Sequence, residues 1–303
     1  MDIAINMDVD GPLEKSLERA AGLRERGFTR MWSSQIFGPD TLTVFAVLGR
    51  AYPDLDLGTA VVPIQTRHPT MLAAQARTVQ EAIGGKLSLG VGLSHKAVVE
   101  GMWGISFERP AHYMREYLEI LAPLLRGERV STFGERVSAS TMGTLGPRET
   151  RTPGLLVAAL APKMLEMAGA LTDGTLTWMT GVKTIATHVT PTINAAAAAA
   201  GRPAPRVVCS LPISVTADVA DTMSKTNKQL EIYGTLPSYR AMLDREGAAG
   251  PADVGLFGSR PQVLEKLDEL AEAGVTEFAA AMAGEADDRD ATFDTLREYQ
   301  SRK

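Results

Sequence analysis

One sequence feature sharply limits the folds open to this chain: strand-like apolar runs and stretches of helical period alternate eight times. The strands read as Ile3–Met7, Thr29–Ser34, Leu55–Ile64, Leu87–Gly92, Leu155–Leu160, Thr175–Met179, Arg206–Val215 and Thr276–Ala281. Between them lie helical patterns with recognisable ends. Gly11-Pro12 leads into Leu13–Arg26, and Gly27 stops it. Asp40 or Thr41 caps the second helix, and Pro69 opens the third. Pro110–Arg126, Val182–Ala200 and Ser259–Ala273 follow the same logic, as does Val219–Glu246 with breaks expected near Gly234 and Pro237. Alternation of this kind requires parallel strands joined by crossover helices. Eight units in 303 residues fit a closed (β/α)₈ TIM barrel.

The chain reads as a single barrel domain, 1–303, with an excursion at about residues 127–152 between the fourth and fifth strands. That segment is rich in Gly, Thr, Ser and Arg, and Val130–Phe133 with Arg136–Ser140 predicts a small hairpin. An open doubly wound sheet is the alternative. Its fingerprint is missing, because Gly90-Val91-Gly92 is followed by Leu93-Ser94-His95, with no third glycine and no immediate helix.

Composition narrows the partners. The formal net charge of -5 argues against nucleic acid. A single cysteine, Cys209, excludes a disulfide framework and a Cys-rich metal site. The run Ala195–Ala200 is too short to span a membrane. The N-terminus reads as a strand carrying aspartates rather than as a signal peptide. A cytoplasmic enzyme acting on a small molecule is the expectation.

In a TIM barrel the site lies at the C-terminal ends of the strands. That rule selects Gln35 after strand two, Val61 in strand three, Gly92, Leu93, Ser94 and His95 after strand four, and Trp178 after strand six. Strand five runs straight into a helix through Ala159, Leu160, Ala161, Pro162, Lys163 and Met164. Pro162 suits the first helical position. The N–H groups of Lys163 and Met164 are then expected to be free and to face an anion, with the Lys163 ammonium beside them. This rim lacks a cluster of carboxylates and histidines, so neither a metal site nor two-carboxylate glycoside hydrolysis is expected. It suits a flat ring cofactor. His95, beside Ser94, reads equally as a proton-handling group or as a loop histidine. Trp178 reads as a ring-stacking group or as a residue closing a barrel layer. His68 is expected to brace the turn into the third helix; His112 and His188 are expected to be structural and away from the strand ends.

Several motifs in order carry a family resemblance. They are Gly27-Phe28 with Met31-Trp32, Leu57-Gly58-Thr59-Ala60-Val61, Thr66-Arg67-His68-Pro69 and Leu89-Gly90-Val91-Gly92. Tyr113–Leu121, Ala158–Met164, Ala168-Gly169 and Asp173-Gly174 continue the series. The chain resembles the luciferase-like monooxygenase superfamily, and more closely its coenzyme F420-dependent oxidoreductase branch. The resemblance implies a cofactor across the strand ends, with its phosphate on the Ala161–Met164 backbone. It implies a non-prolyl cis peptide at Ala60–Val61 backing the ring. It implies hydride transfer by a dehydrogenase or reductase on a small, fairly apolar substrate, and a homodimer. F420-dependent sugar-phosphate dehydrogenases are similar but carry Asp-His after strand two and Glu after strand four. Here Gln35-Ile36 and Leu93 stand at those places, so sugar-phosphate oxidation is not expected. An FMN-dependent monooxygenase and a non-catalytic cofactor-binding barrel are the other readings.

Overall fold

A computed structural model describes residues 1–302. Its strands are β1 Asp2–Asn6, β2 Arg30–Ser33, β3 Asp56–Thr59, β4 Val62–Pro63, β5 Leu87–Gly92, β6 Ser131–Phe133, β7 Ser138–Ser140, β8 Gly154–Ala158, β9 Gly174–Trp178, β10 Arg206–Val215, β11 Leu256–Gly258 and β12 Glu277–Met282. In the main sheet all pairings are parallel, and they run β1-β2-β3-β5-β8-β9-β10-β12 and back to β1. The result is a closed eight-stranded barrel surrounded by helices. The β6–β7 hairpin stands apart as a two-stranded antiparallel unit.

Strand register fixes which side chains enter the barrel. Asn6 pairs with Trp32, Trp32 with Gly58, Gly90 with Leu156, Leu176 with Val208 and Ala4 with Ala279. Period-two alternation therefore points Ala4, Trp32, Leu156, Leu176, Val208 and Ala279 inward. These six pack together as the filling of the lumen. Their outward neighbours join the helices in the larger core.

Below this filling the lumen is polar. The Trp32 Nε1–H donates to Glu277 Oε1 at 2.6 Å, and Arg206 Nη2 donates to Glu277 Oε2 at 2.9 Å. Arg30 Nη1 reaches the same oxygen at 3.4 Å and Asp2 at 2.7 Å. Glu277 is buried, and these donors balance its desolvation.

Four sequence expectations need correction. Strand three is not continuous. From Gly58↔Ser88 to Val62↔Val91 the chain advances four residues against three on β5, so one extra residue is bulged out at Ala60–Val61. An apolar run gives no hint of this, because both halves of the bulged strand stay apolar. The connection after β5 holds a short helix, Lys96–Gly101. The helix Val182–Ala199 contains a π-helical turn, Ile185–Val189. The short strand β11 extends the wall beside β10 at Ile213–Val215; its three residues fall below the length that periodicity detects.

Among the described residues, no helix is long and apolar enough to cross a membrane.

Candidate active site

The ring of inward side chains above the lumen filling is small. It comprises Asn6, Ser34, Ala60, Gly92, Ala158, Ser210 and Ala281, with Trp178 as its one large member. Asn6, Ser34, Ala60, Val61, Ala158, Trp178 and Ala281 are all half-buried, so this layer is open to the mouth of the barrel. Apart from Trp178, this layer, the floor of the mouth, holds no side chain longer than Asn over the filled lumen. Polar groups on it are tied down: Asn6 Nδ2 donates to Ser210 Oγ at 3.2 Å, and Ser210 Oγ donates to Ala279 O at 2.8 Å.

One edge of the floor is the bulge. The Ala60–Val61 peptide bond is cis, as the resemblance implies. From β2, Ser33 O accepts the Ala60 N–H at 2.7 Å, Ser34 Oγ donates to Ala60 O at 2.8 Å, and the Gln35 N–H donates to Val61 O at 3.2 Å. From β5, Gly90 N–H donates to Thr59 Oγ1 at 2.9 Å while Thr59 Oγ1 donates to Gly90 O at 2.8 Å. The Thr59 hydroxyl thus replaces ladder bonds where the bulge breaks them. A Cβ at Gly90 would collide with the Thr59 carbonyl, and one at Gly92 would lie 2.6 Å from Val61 Cγ2. The two glycines of Gly90-Val91-Gly92 make room for the bulge, which is why a GxG occurs here without a Rossmann helix after it.

A second edge is the turn after β8, two strands from the bulge with β5 between them. Ala161 is the N-cap of helix Pro162–Leu171, and Ala161, Pro162 and Lys163 are exposed. Ala161 O accepts the N–H groups of both Met164 (2.9 Å) and Leu165 (3.0 Å). The expectation of a free Met164 N–H is therefore wrong. A tight first turn has claimed it, and Met164 itself is buried. No protein group accepts the Lys163 N–H. Ala159 faces the outer core rather than the mouth. His188 is structural, as expected, but it does not lie away from the strand ends. Its Nε2 donates to Leu160 O at 2.8 Å from the π-helical turn, bracing the β8 turn from behind.

The remaining sequence candidates divide. Gln35 uses its amide within its own loop, accepting from Thr41 N–H at 2.7 Å and donating to Pro39 O at 3.3 Å. Leu93 packs against the main core. The Ser94 N–H reaches Gln65 Oε1 at 3.4 Å, and no partner binds its hydroxyl. His95 is the half-buried N-cap of Lys96–Gly101, and its ring nitrogens have no hydrogen-bond partner. Burial holds its pKa below the usual 6.5, so the imidazole is neutral at pH 7.

Sequence reasoning missed two residues of the mouth, Tyr233 and Tyr239. Tyr239 packs on His95 with ring centroids 6.0 Å apart, Tyr233 packs on Tyr239 at 5.1 Å, and Trp178 packs on Tyr233 at 5.8 Å. The Trp178 Nε1–H is buried without an acceptor. Burial raises the pKa of both phenols. The only sequence signal was an aromatic pair flanking Gly234 and Pro237, where the helical pattern breaks into Glu231–Thr235 and Pro237–Glu246. Among the described residues, no group of three or more His, Cys, Asp or Glu is placed to hold a metal ion.

A layer of small side chains beside Trp178, and among the described residues an unbonded Lys163 N–H with an exposed ammonium at the β8 turn, fit a planar ring bearing an acidic tail.

Comparison with known proteins agrees with that shape. The family profile described as luciferase-like monooxygenase matches residues 4–300. The chain is 27% identical over 311 residues to the 5,10-methylenetetrahydromethanopterin reductase of Methanolobus tindarius, covering 92% of this chain and 94% of that one. Its structure superposes with a TM-score of 0.83 on the coenzyme F420 dependent tetrahydromethanopterin reductase from Methanopyrus kandleri, at 21% identity over 99% of both chains. A monooxygenase from Streptomyces bottropensis superposes with a TM-score of 0.80 at 20% identity, over 100% of this chain and 99% of that one. These two structural likenesses establish the fold.

Proposed function

Because the chain belongs to the luciferase-like monooxygenase family, we propose that it is an F420-dependent oxidoreductase transferring a hydride between coenzyme F420 and a small, fairly apolar organic substrate, at a C=C, C=N or C=O/CH–OH group. The observation that carries this reading is the layer of small side chains at the barrel mouth, with the Ala60–Val61 bulge and the exposed β8 turn on the same side of it, one strand between them. A relative named as a methylenetetrahydromethanopterin reductase, similar over nearly its whole length, supports the choice of reductase chemistry.

F420 supplies a carbon that gives or takes a hydride and reacts poorly with oxygen. The protein's residues do the rest. Ala60 and Val61 back the ring, while Gly92 and Ala158 leave room for it. The Lys163 N–H and ammonium hold the phosphate at the helix N-terminus. His95, neutral and free at both ring nitrogens, holds or moves the proton at the substrate, with the Ser94 hydroxyl next to it. The apolar rim excludes water from the reacting atoms. We assign the protein to the cytoplasm as a homodimer, with helices Thr41–Ala51 and Pro69–Ala82 at the interface by analogy.

An FMN-dependent monooxygenase is the second reading, favoured by the same floor, which accepts either tricyclic ring. Titration with oxidised F420 and separately with FMN, following ring fluorescence, distinguishes them. Quenching of F420 is expected. Binding of FMN alone would overturn the first reading.

A further inference from the structure

We infer that the substrate is an uncharged molecule built on an aromatic ring, selected by Tyr233 and Tyr239 on one wall and by Phe37 and Ile232 on the rim. This identifies the substrate class of the oxidoreductase proposed above and rests on that reading.

Trp178 ends β9 and His95 follows β5, and β8 lies between those strands in the barrel. The row Trp178–Tyr233–Tyr239–His95 therefore arches over the end of β8. Successive rings are tilted by 78°, 85° and 59°, so they pack edge to face along the arch. Aromatic rings pair best in such edge-to-face and offset arrangements, with a gain beyond simple burial. The loops at the same end of the barrel expose large apolar side chains. Ile36 and Phe37 after β2 are 53% and 62% exposed, Met102 after β5 is 61% exposed, and Ile232 after β10 is 60% exposed. Four of the eight exposed large apolar side chains among the described residues thus lie on loops at the strand C-terminal end, where an apolar surface suits a binding site.

The cations at this end of the barrel include Arg67, paired with Asp40, Lys96, 3.7 Å from Glu100, and Lys163, assigned above to the coenzyme phosphate. The floor and arch contain no ammonium or guanidinium. The β1 loop adds two exposed carboxylates, Asp8 and Asp10. Arg19 Nη1 is turned to their backbone oxygens, at 2.8 and 3.0 Å. The imidazole and both phenols are held neutral by burial. A carboxylate on the substrate would lose its hydration here without gaining a partner. A ketone or imine substituent has donors to meet in Ser94, His95 and the phenols.

The test compares three probes of one shape: 4-phenyl-3-buten-2-one, its para-carboxylate and its para-trimethylammonium analogue. Binding is measured by calorimetry to the coenzyme-free and the F420-loaded protein. The neutral probe is expected to bind at least tenfold tighter than either charged one. Phe37→Ser and Ile232→Ser, both at exposed positions that the fold does not depend on, should each weaken the neutral probe severalfold and leave F420 affinity unchanged. Tyr239→Leu should weaken it further. Equal or tighter binding of the carboxylate, or of the trimethylammonium cation, would overturn the inference, as would indifference to both rim substitutions. Failure of F420 itself to bind would fall on the proposed activity, because the probe comparison is also read on the coenzyme-free protein.

Discussion

His188 Nε2 donates a hydrogen bond of 2.8 Å to the carbonyl oxygen of Leu160, joining a π-helical turn to the strand end at which we propose the coenzyme phosphate binds. The bond sits behind the turn, on the side away from the mouth. It fixes where the exposed Ala161–Lys163 backbone points without touching what binds there. Such support decides whether a binding loop is preorganised.

His188→Ala should therefore weaken F420 binding while leaving the fold intact. Loss of one buried hydrogen bond costs about 1 kcal/mol, and so roughly a fivefold rise in Kd. Fluorescence titration of the variant measures it. His188→Gln, which can still donate to Leu160 O, should recover most of the loss.

The hairpin β6–β7 is predicted to depend on a single carboxylate. Glu116, buried on helix Pro110–Leu125, accepts the N–H groups of Glu135 (2.8 Å), Arg136 (2.9 Å) and Val137 (3.1 Å). Desolvation raises its pKa, but those three bonds and His112 outweigh it and leave the net shift downward. A carboxylate with a depressed pKa contributes stability above its unfolded value, and that stability is lost as pH falls through the folded value. Glu116→Gln should destabilise the hairpin by about 2 kcal/mol at pH 7, the scale of hydrogen bonds to a charged group. Hydrogen exchange at residues 135–137 should accelerate in the variant, and in the wild type below pH 4.5.

For His95 the sign is opposite in origin and similar in outcome. Burial lowers its pKa below 6.5, so the unfolded chain takes up the proton first as pH falls. Stability from this residue is full above 6.5 and declines below it. Urea midpoints at pH 7.5 and 5.0 should differ less in His95→Phe than in the wild type. Turnover that needs a neutral imidazole should persist to lower pH than 6.5 and fall only as pH drops through the lowered folded value.

The barrel was legible because each strand–helix unit carries its own periodicity; the C-terminal-end rule selected Val61, Gly92 and Trp178 without knowledge of contacts, and the family resemblance added Ala60. What was hidden depends on partners far apart in sequence. Glu116 meets its donors across 19 to 21 residues, His188 meets Leu160 across 28, and Trp32 meets Glu277 across 245. Nothing local marks either end of such pairs. Leu55–Ile64 hid a bulge because an apolar run has the same composition with or without one extra residue. Tyr233 and Tyr239 lay in a stretch whose helical pattern was merely broken, and only folding brings them over the mouth.

The most direct measurement compares F420 with its phosphate-free deazaflavin chromophore, on the wild type and on Lys163→Glu. The coenzyme should bind the wild type at least tenfold tighter than the bare chromophore, about 1.4 kcal/mol, and Lys163→Glu should erase most of that difference. Equal affinity for the two molecules, or a Lys163→Glu variant that keeps the preference, would contradict a phosphate held at the turn after β8.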